Sequence, residues 1–228
     1  MSWFSDLNRS AVGRKAVMAV TGIILFGFVV GHLLGNLKVY LGPDAANHLA
    51  EYGEFLRHVG GPVIPAYTAL WIARLVLLAA VIFHIWAAYS LTRMAQAARP
   101  SRYEFKEKNH TNYASRTMRW GGVIILLFII YHLLDLTTGT VNPDFHEGRP
   151  YENLVASFSV WYVSLFYIVA NLALGLHLYH GVWSLFQSLG WNHPRFNHWR
   201  SWFAHAFAWI ITLGNVSFPL AVMTGLLK

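Results

Sequence analysis

Gly27-Phe28-Val29-Val30-Gly31-His32-Leu33-Leu34-Gly35-Asn36 is the stretch whose reading decides the fold. It lies in an apolar run bounded by Arg14-Lys15 and by Gly42-Pro43, long enough for a helix to cross a bilayer. Its one ionisable side chain is His32, and an imidazole in hydrocarbon is costly unless something binds it. Gly27, Gly31 and Gly35 recur every fourth residue and make a strip of bare backbone on one helix face. Such a strip lets a neighbouring helix, or a flat cofactor, lie close to the backbone.

The remainder of the chain has the same character. Its 228 residues are 56% hydrophobic, 16% aromatic and only 12% charged, whereas soluble domains carry about 25% charged residues. Five apolar runs, at about 16–40, 62–92, 118–138, 155–186 and 201–227, read as transmembrane helices. Helices are the open-chain way to satisfy backbone polar groups in lipid, so the expected fold is an all-α polytopic membrane protein. It forms a single transmembrane domain over residues 1–228, with four helices around a core and no soluble domain. The first run is too long for the apolar core of a signal peptide and is read as a retained helix. There are no cysteines, which excludes disulfides, thiolate zinc sites and iron–sulfur clusters held by this chain alone.

The net charge of +7 is topological. Arg9, Arg14 and Lys15 precede the first run; Arg93, Arg99, Arg102, Lys106, Lys108, Arg116 and Arg119 lie between the second and third; Arg195 and Arg200 lie between the fourth and fifth. These regions share one side, while Asp44, Glu51, Glu54, Asp144, Glu147 and Glu152 fall on the other. The positive-inside rule then places the N-terminus in the cytoplasm and the C-terminus outside, as in a multi-pass protein of a bacterial inner membrane. No nucleic-acid partner is implied. The basic face suits docking of a soluble partner.

Histidines recur inside the runs: His32, His84, His132, and His177 with His180. At about 1.5 Å per residue, His32 lies about 25 Å and His132 about 20 Å from the basic end. His84 and His177 lie about 14–15 Å from it. The depths therefore match in pairs, and in an up-down bundle spans one and three, like spans two and four, are diagonal. Opposed imidazoles at two levels suit two bis-histidine haems, whose filled axial positions favour electron transfer over oxygen chemistry. His180 shares a face with His177 and can replace or support it. Zinc and di-iron sites are weaker readings, because no Glu lies inside a run and Asp135 is the one Asp. His48, His58, His110, His146, His193 and His198 are read as solvated loop residues, and His205 opens the fifth run.

Gly31-His32-Leu33-Leu34-Gly35-Asn36, Phe83-His84, Tyr131-His132-Leu133-Leu134-Asp135 and Leu176-His177-Leu178-Tyr179-His180-Gly181-Val182-Trp183 together resemble one known family. This is the diheme cytochrome b membrane anchor of succinate dehydrogenases and fumarate reductases, in its five-helix, single-polypeptide form. The similarity extends over nearly the whole chain, including the basic loop before the third run and Trp191-Asn192 after the fourth. It implies that His32 and His132 hold a distal haem b and that His84 and His177, rather than His180, hold a proximal one. It further implies a flavoprotein partner with covalent FAD, an iron–sulfur partner on the cytoplasmic face, and a membrane quinone as substrate.

Quinone reduction consumes protons, so an ionisable group near a haem edge is needed. Asp135 and Glu54 are the candidates, against the plainer readings of a helix-end carboxylate and a solvated side chain. Arg74, well inside the second run, is a candidate partner for a quinone carbonyl or a haem propionate. Arg119, and after it Arg14, Lys15 and Arg116, are further propionate candidates that also serve as positive-inside anchors. Two rival readings are a cytochrome b subunit of another dehydrogenase or hydrogenase, and a haem-free transporter. The latter would need a polar pathway or broken helices that the sequence does not offer.

Overall fold

The computed structural model describes residues 10–98, 113–191 and 193–228, with the backbone alone for 113–117. Arg9, Arg99, Arg102, Lys106, Lys108, His110 and Asn192, and the side chain of Arg116, lie outside the described residues. Among the described residues the regular structure is all helix: α1 (Ala11–Asn36), α2 (Ala45–Arg57), α3 (Thr68–Ala97), α4 (Tyr113–Leu136), α5 (Pro150–Ser159), α6 (Trp161–Ser188) and α7 (Asn197–Met223). Five of these, α1, α3, α4, α6 and α7, are long and apolar enough to cross a membrane. Their outward faces expose Trp71, Ile72, Leu75, Leu127, Leu165, Leu213 and many other large apolar side chains. Lipid tails accept such a surface, whereas water would not. The protein is an all-α polytopic membrane protein.

Local chemistry sets the helix ends. Ser10 starts α1 by accepting the Gly13 N–H at 3.0 Å. The sequence reading began the second span at 62, but the segment before Thr68 is a turn. There Tyr67 adopts φ 67° and its N–H donates to the Arg57 carbonyl. The fourth expected span, 155–186, is two helices. At Val160 the backbone is extended (φ −88°, ψ 107°), and the Ser164 hydroxyl donates to the Phe158 carbonyl at 2.7 Å across the break.

Two short helices therefore stand apart from the five spans: α2, which was expected as loop, and α5, whose first half was expected as loop and whose second half was assigned to the fourth span. They pack on one another and cap one end of the bundle. Tyr52 of α2 sits on the Gly35 backbone, where a Cβ would collide with its ring. Tyr40 joins this cap to α7 by donating to Ser217 at 2.8 Å.

Among the spans, α6 packs most extensively on α7, α1 packs on α3, and α4 packs on α6. Thr212 of α7 lies so close to Gly175 of α6 that no side chain would fit there. Leu33 of α1 approaches Gly214 of α7, where a Cβ would come within 2.8 Å. Among the described residues neither α1 with α4 nor α3 with α6 is a closely packed backbone pair. Those are the two diagonals.

Candidate functional site: two opposed imidazole pairs

Side chains cross the diagonals that the backbones leave apart. His32 of α1 and His132 of α4 have ring centres 5.7 Å apart with planes at 88°. His84 of α3 and His177 of α6 have ring centres 6.3 Å apart with planes at 57°. The first pair lies nearer the capped end, the second nearer the opposite end. Two metal–nitrogen bonds of about 2 Å, each extended by about 1.1 Å to a ring centre, separate trans imidazole centres by about 6.2 Å. Both pairs are close to that spacing.

The partners of the rings decide which nitrogen is free. Thr21 of α1 donates its hydroxyl proton to the Val17 carbonyl at 2.7 Å, so its oxygen accepts from Nδ1–H of His84 at 3.1 Å. Nε2 of His84 then keeps its lone pair. Tyr167 of α6 donates its only hydroxyl proton to Oδ2 of Asp135 at 2.7 Å, so its oxygen accepts from Nδ1–H of His132 at 3.4 Å. Nε2 of His132 is left as a lone pair too. A neutral imidazole fixed by a bond through its other nitrogen is the usual form of a metal ligand. Nδ1 of His177 is buried without a hydrogen-bond partner.

Glycines flank the second pair. A Cβ on Gly22 of α1 would stand 3.7 Å from His84, and one on Gly122 of α4 would stand 4.0 Å from His177. The strip of glycines read from the sequence divides differently. Gly35 receives Tyr52, while a Cβ on Gly27 or Gly31 would meet nothing within 4 Å. The reason is rotational: at about 100° per residue, Gly31 lies opposite Gly22 on α1 and so faces away from α3.

Asp135 is the penultimate residue of α4, at a helix end as one reading had it, but it is 2% exposed and enclosed rather than at an open interface. Its Oδ2 accepts from Ser157 of α5 at 2.6 Å as well as from Tyr167. Glu54 is exposed on α2, paired with Arg57 at 2.8 Å and with His58 at 3.2 Å. Arg74 is exposed and lies over the Trp71 ring at 5.0 Å. Because α3 starts at Thr68, Arg74 is in its second turn, where a long side chain reaches the interface, and not deep in the span. Arg119 is exposed near the start of α4, and Arg14 lies over Trp86 at 5.8 Å.

His180 is half-buried and faces Trp183, with ring centres 6.3 Å apart, and makes no close ring contact with another histidine. His205 packs on Tyr179 at 4.2 Å, and its Nδ1 donates to the Ser201 carbonyl. His48 and His198, expected in loops, are exposed residues of α2 and α7. Among the described residues no three His, Asp or Glu side chains converge as a metal cage. The intramembrane histidines instead meet in twos, His32 with His132 and His84 with His177.

The chain matches no protein-family model, and neither the curated proteins nor the solved structures yield a match.

Four residues of the site were not singled out by sequence reasoning. Thr21 had a signal: it lies eleven residues before His32, almost the same face of α1, and is a hydroxyl inside an apolar span. Ser157 and Tyr167 depend on the break at Val160. Arg200 was counted only as a basic anchor, yet it is 3% exposed, donates to the Trp191 carbonyl at 3.3 Å and lies over Trp183.

Proposed function

We propose that this chain is a membrane-anchor cytochrome b subunit of a succinate:quinone oxidoreductase. In this reading His32 with His132, and His84 with His177, hold two b haems, and the subunit carries electrons between an iron–sulfur/flavoprotein pair and a membrane quinone. The observation that carries the haem part is the meeting of imidazoles across both helix diagonals at a spacing suited to one iron between them. The enzyme and its partners follow from the resemblance of the histidine motifs. FAD and the iron–sulfur clusters belong to those partners, which dock on the basic face. The N-terminus is cytoplasmic, and the complex can assemble further into oligomers.

A bis-imidazole haem supplies a one-electron couple with no open coordination position. Everything else falls to the chain. Thr21 and Tyr167 hold His84 and His132 in the tautomer that leaves Nε2 available. The aromatic packing of Phe28 on His32 (5.2 Å) and Phe128 on His132 (5.6 Å) fixes ring orientation and keeps water from the capped-end pair. Arg74 and Arg119 are the basic candidates for propionates, and Arg74 is also one for a quinone carbonyl. Glu54, on the exposed face of α2, is the accessible carboxylate for quinone protonation. Asp135 belongs to the same end but is enclosed, so a proton would reach it through Ser157 or Tyr167.

The test is a reduced-minus-oxidised visible spectrum of membranes containing the chain, with haem quantified against protein. A b-type band at two haems per chain is expected, and its absence ends the proposal. Copurification decides the enzyme. A partner carrying covalent flavin supports this reading, and a nickel or molybdenum partner replaces it with another dehydrogenase or hydrogenase.

A further inference from the structure

We infer that Asp135 and Tyr167 are a positioning pair that acts through His132 to hold the capped-end haem towards its oxidised state, making the two sites inequivalent. The inference rests on the haem reading above and adds a division of roles between its two sites.

The chain of contacts is directional. Oδ2 of Asp135 accepts from Ser157 at 2.6 Å and from Tyr167 at 2.7 Å, so one carboxyl oxygen takes both hydroxyl protons. Tyr167 has one proton and gives it to Asp135, so its oxygen faces His132 as an acceptor. Polarisation accumulates along such a chain. The carboxylate makes the tyrosine oxygen more electron-rich, which draws on Nδ1–H of His132 and makes its Nε2 a stronger donor to a metal. A stronger donor stabilises the ferric over the ferrous ion.

The pair at the other end is built otherwise. His84 leans on Thr21, and Thr21 passes its proton to the Val17 carbonyl, so that chain ends on a neutral peptide. Identical ligands therefore rest on different anchors, one an acidic side chain and one a backbone carbonyl. The Asp135 anchor also depends on the helix break, because Ser157 precedes Val160 and Tyr167 follows it.

Redox titration of the full chain in its own membranes, followed at the visible haem band, tests this. The component that His132→Ala removes is the capped-end one. In Tyr167→Phe its reduced-to-oxidised ratio at fixed ambient potential should rise about tenfold, which is about 59 mV for a one-electron couple, while the other component stays in place. Asp135→Asn, which keeps the tyrosine and its hydroxyl, should move the same component in the same direction by less. It carries the test if Tyr167→Phe fails to retain haem. Thr21→Val should move only the other component. The inference is overturned by an unchanged capped-end potential in both variants, by equal shifts of both components, or by loss of that haem in both. Lack of any b-type band in the unmodified chain instead overturns the reading beneath it.

Discussion

His84 and His132 are each fixed through Nδ1, whereas Nδ1 of His177 is buried and bonded to nothing. A buried polar nitrogen with no partner costs about 1–3 kcal/mol, so the His177 ring is held at a cost that the other two do not carry. Single substitutions should separate the two levels. His84→Ala or His177→Ala should halve the haem content and leave one spectral component, and His32→Ala or His132→Ala should leave the other. If His180→Ala removes a haem and His177→Ala does not, the ligand on α6 is misassigned. The imidazoles themselves were legible in the sequence, because a histidine in an apolar run is conspicuous. Their supports were not. A threonine or tyrosine in a membrane helix is common, and only the packed structure shows which one a given ring leans on.

At the level of helices, close packing is concentrated where glycine removes the side chain. Gly175 against Thr212 and Gly214 against Leu33 bring α7 onto α6 and α1. Gly175→Leu should therefore overpack the α6–α7 seam and cost about 1–3 kcal/mol, read as a lower Tm in a thermal scan of the detergent-solubilised protein. Gly27→Leu and Gly31→Leu, which meet open space, should leave Tm within a degree or two of the parent. The opposite outcome would show that the exposed strip has a partner. The five long helices were visible from apolar length alone. The short helices α2 and α5 were not, since each mixes charged and apolar residues over too few turns to stand out from a loop. The division at Val160 was hidden because the apolar run passes through it without a Pro or Gly to mark the stop.

Over the described residues, one end carries the α2–α5 cap with its acidic side chains and the other carries Arg14, Lys15, Arg93, Arg119, Arg195 and Arg200. The chain has no native cysteine, so single introduced thiols report sidedness directly. Glu51→Cys on α2 and Glu147→Cys before α5 should label with an impermeant reagent in intact cells. Arg195→Cys should label only after permeabilisation. Reversal of that pattern would put the basic face, proposed above for docking, on the wrong side for soluble flavin and iron–sulfur subunits.

The packing of α3 has a consequence for biogenesis. This helix is closely packed on α1 and, near its start, on α2, and it buries only Ala80 and Ala87. It is thus anchored mainly along one flank, by α1. A porphyrin gripped between His84 and His177 would act as a rivet, clamping α3 to the opposite side of the bundle. Cells starved of tetrapyrrole synthesis should then make this polypeptide at a normal rate and degrade it quickly, with the first proteolytic cuts at the two ends of α3. Pulse-chase labelling with and without a tetrapyrrole precursor would measure how much of the bundle's durability a bound porphyrin supplies.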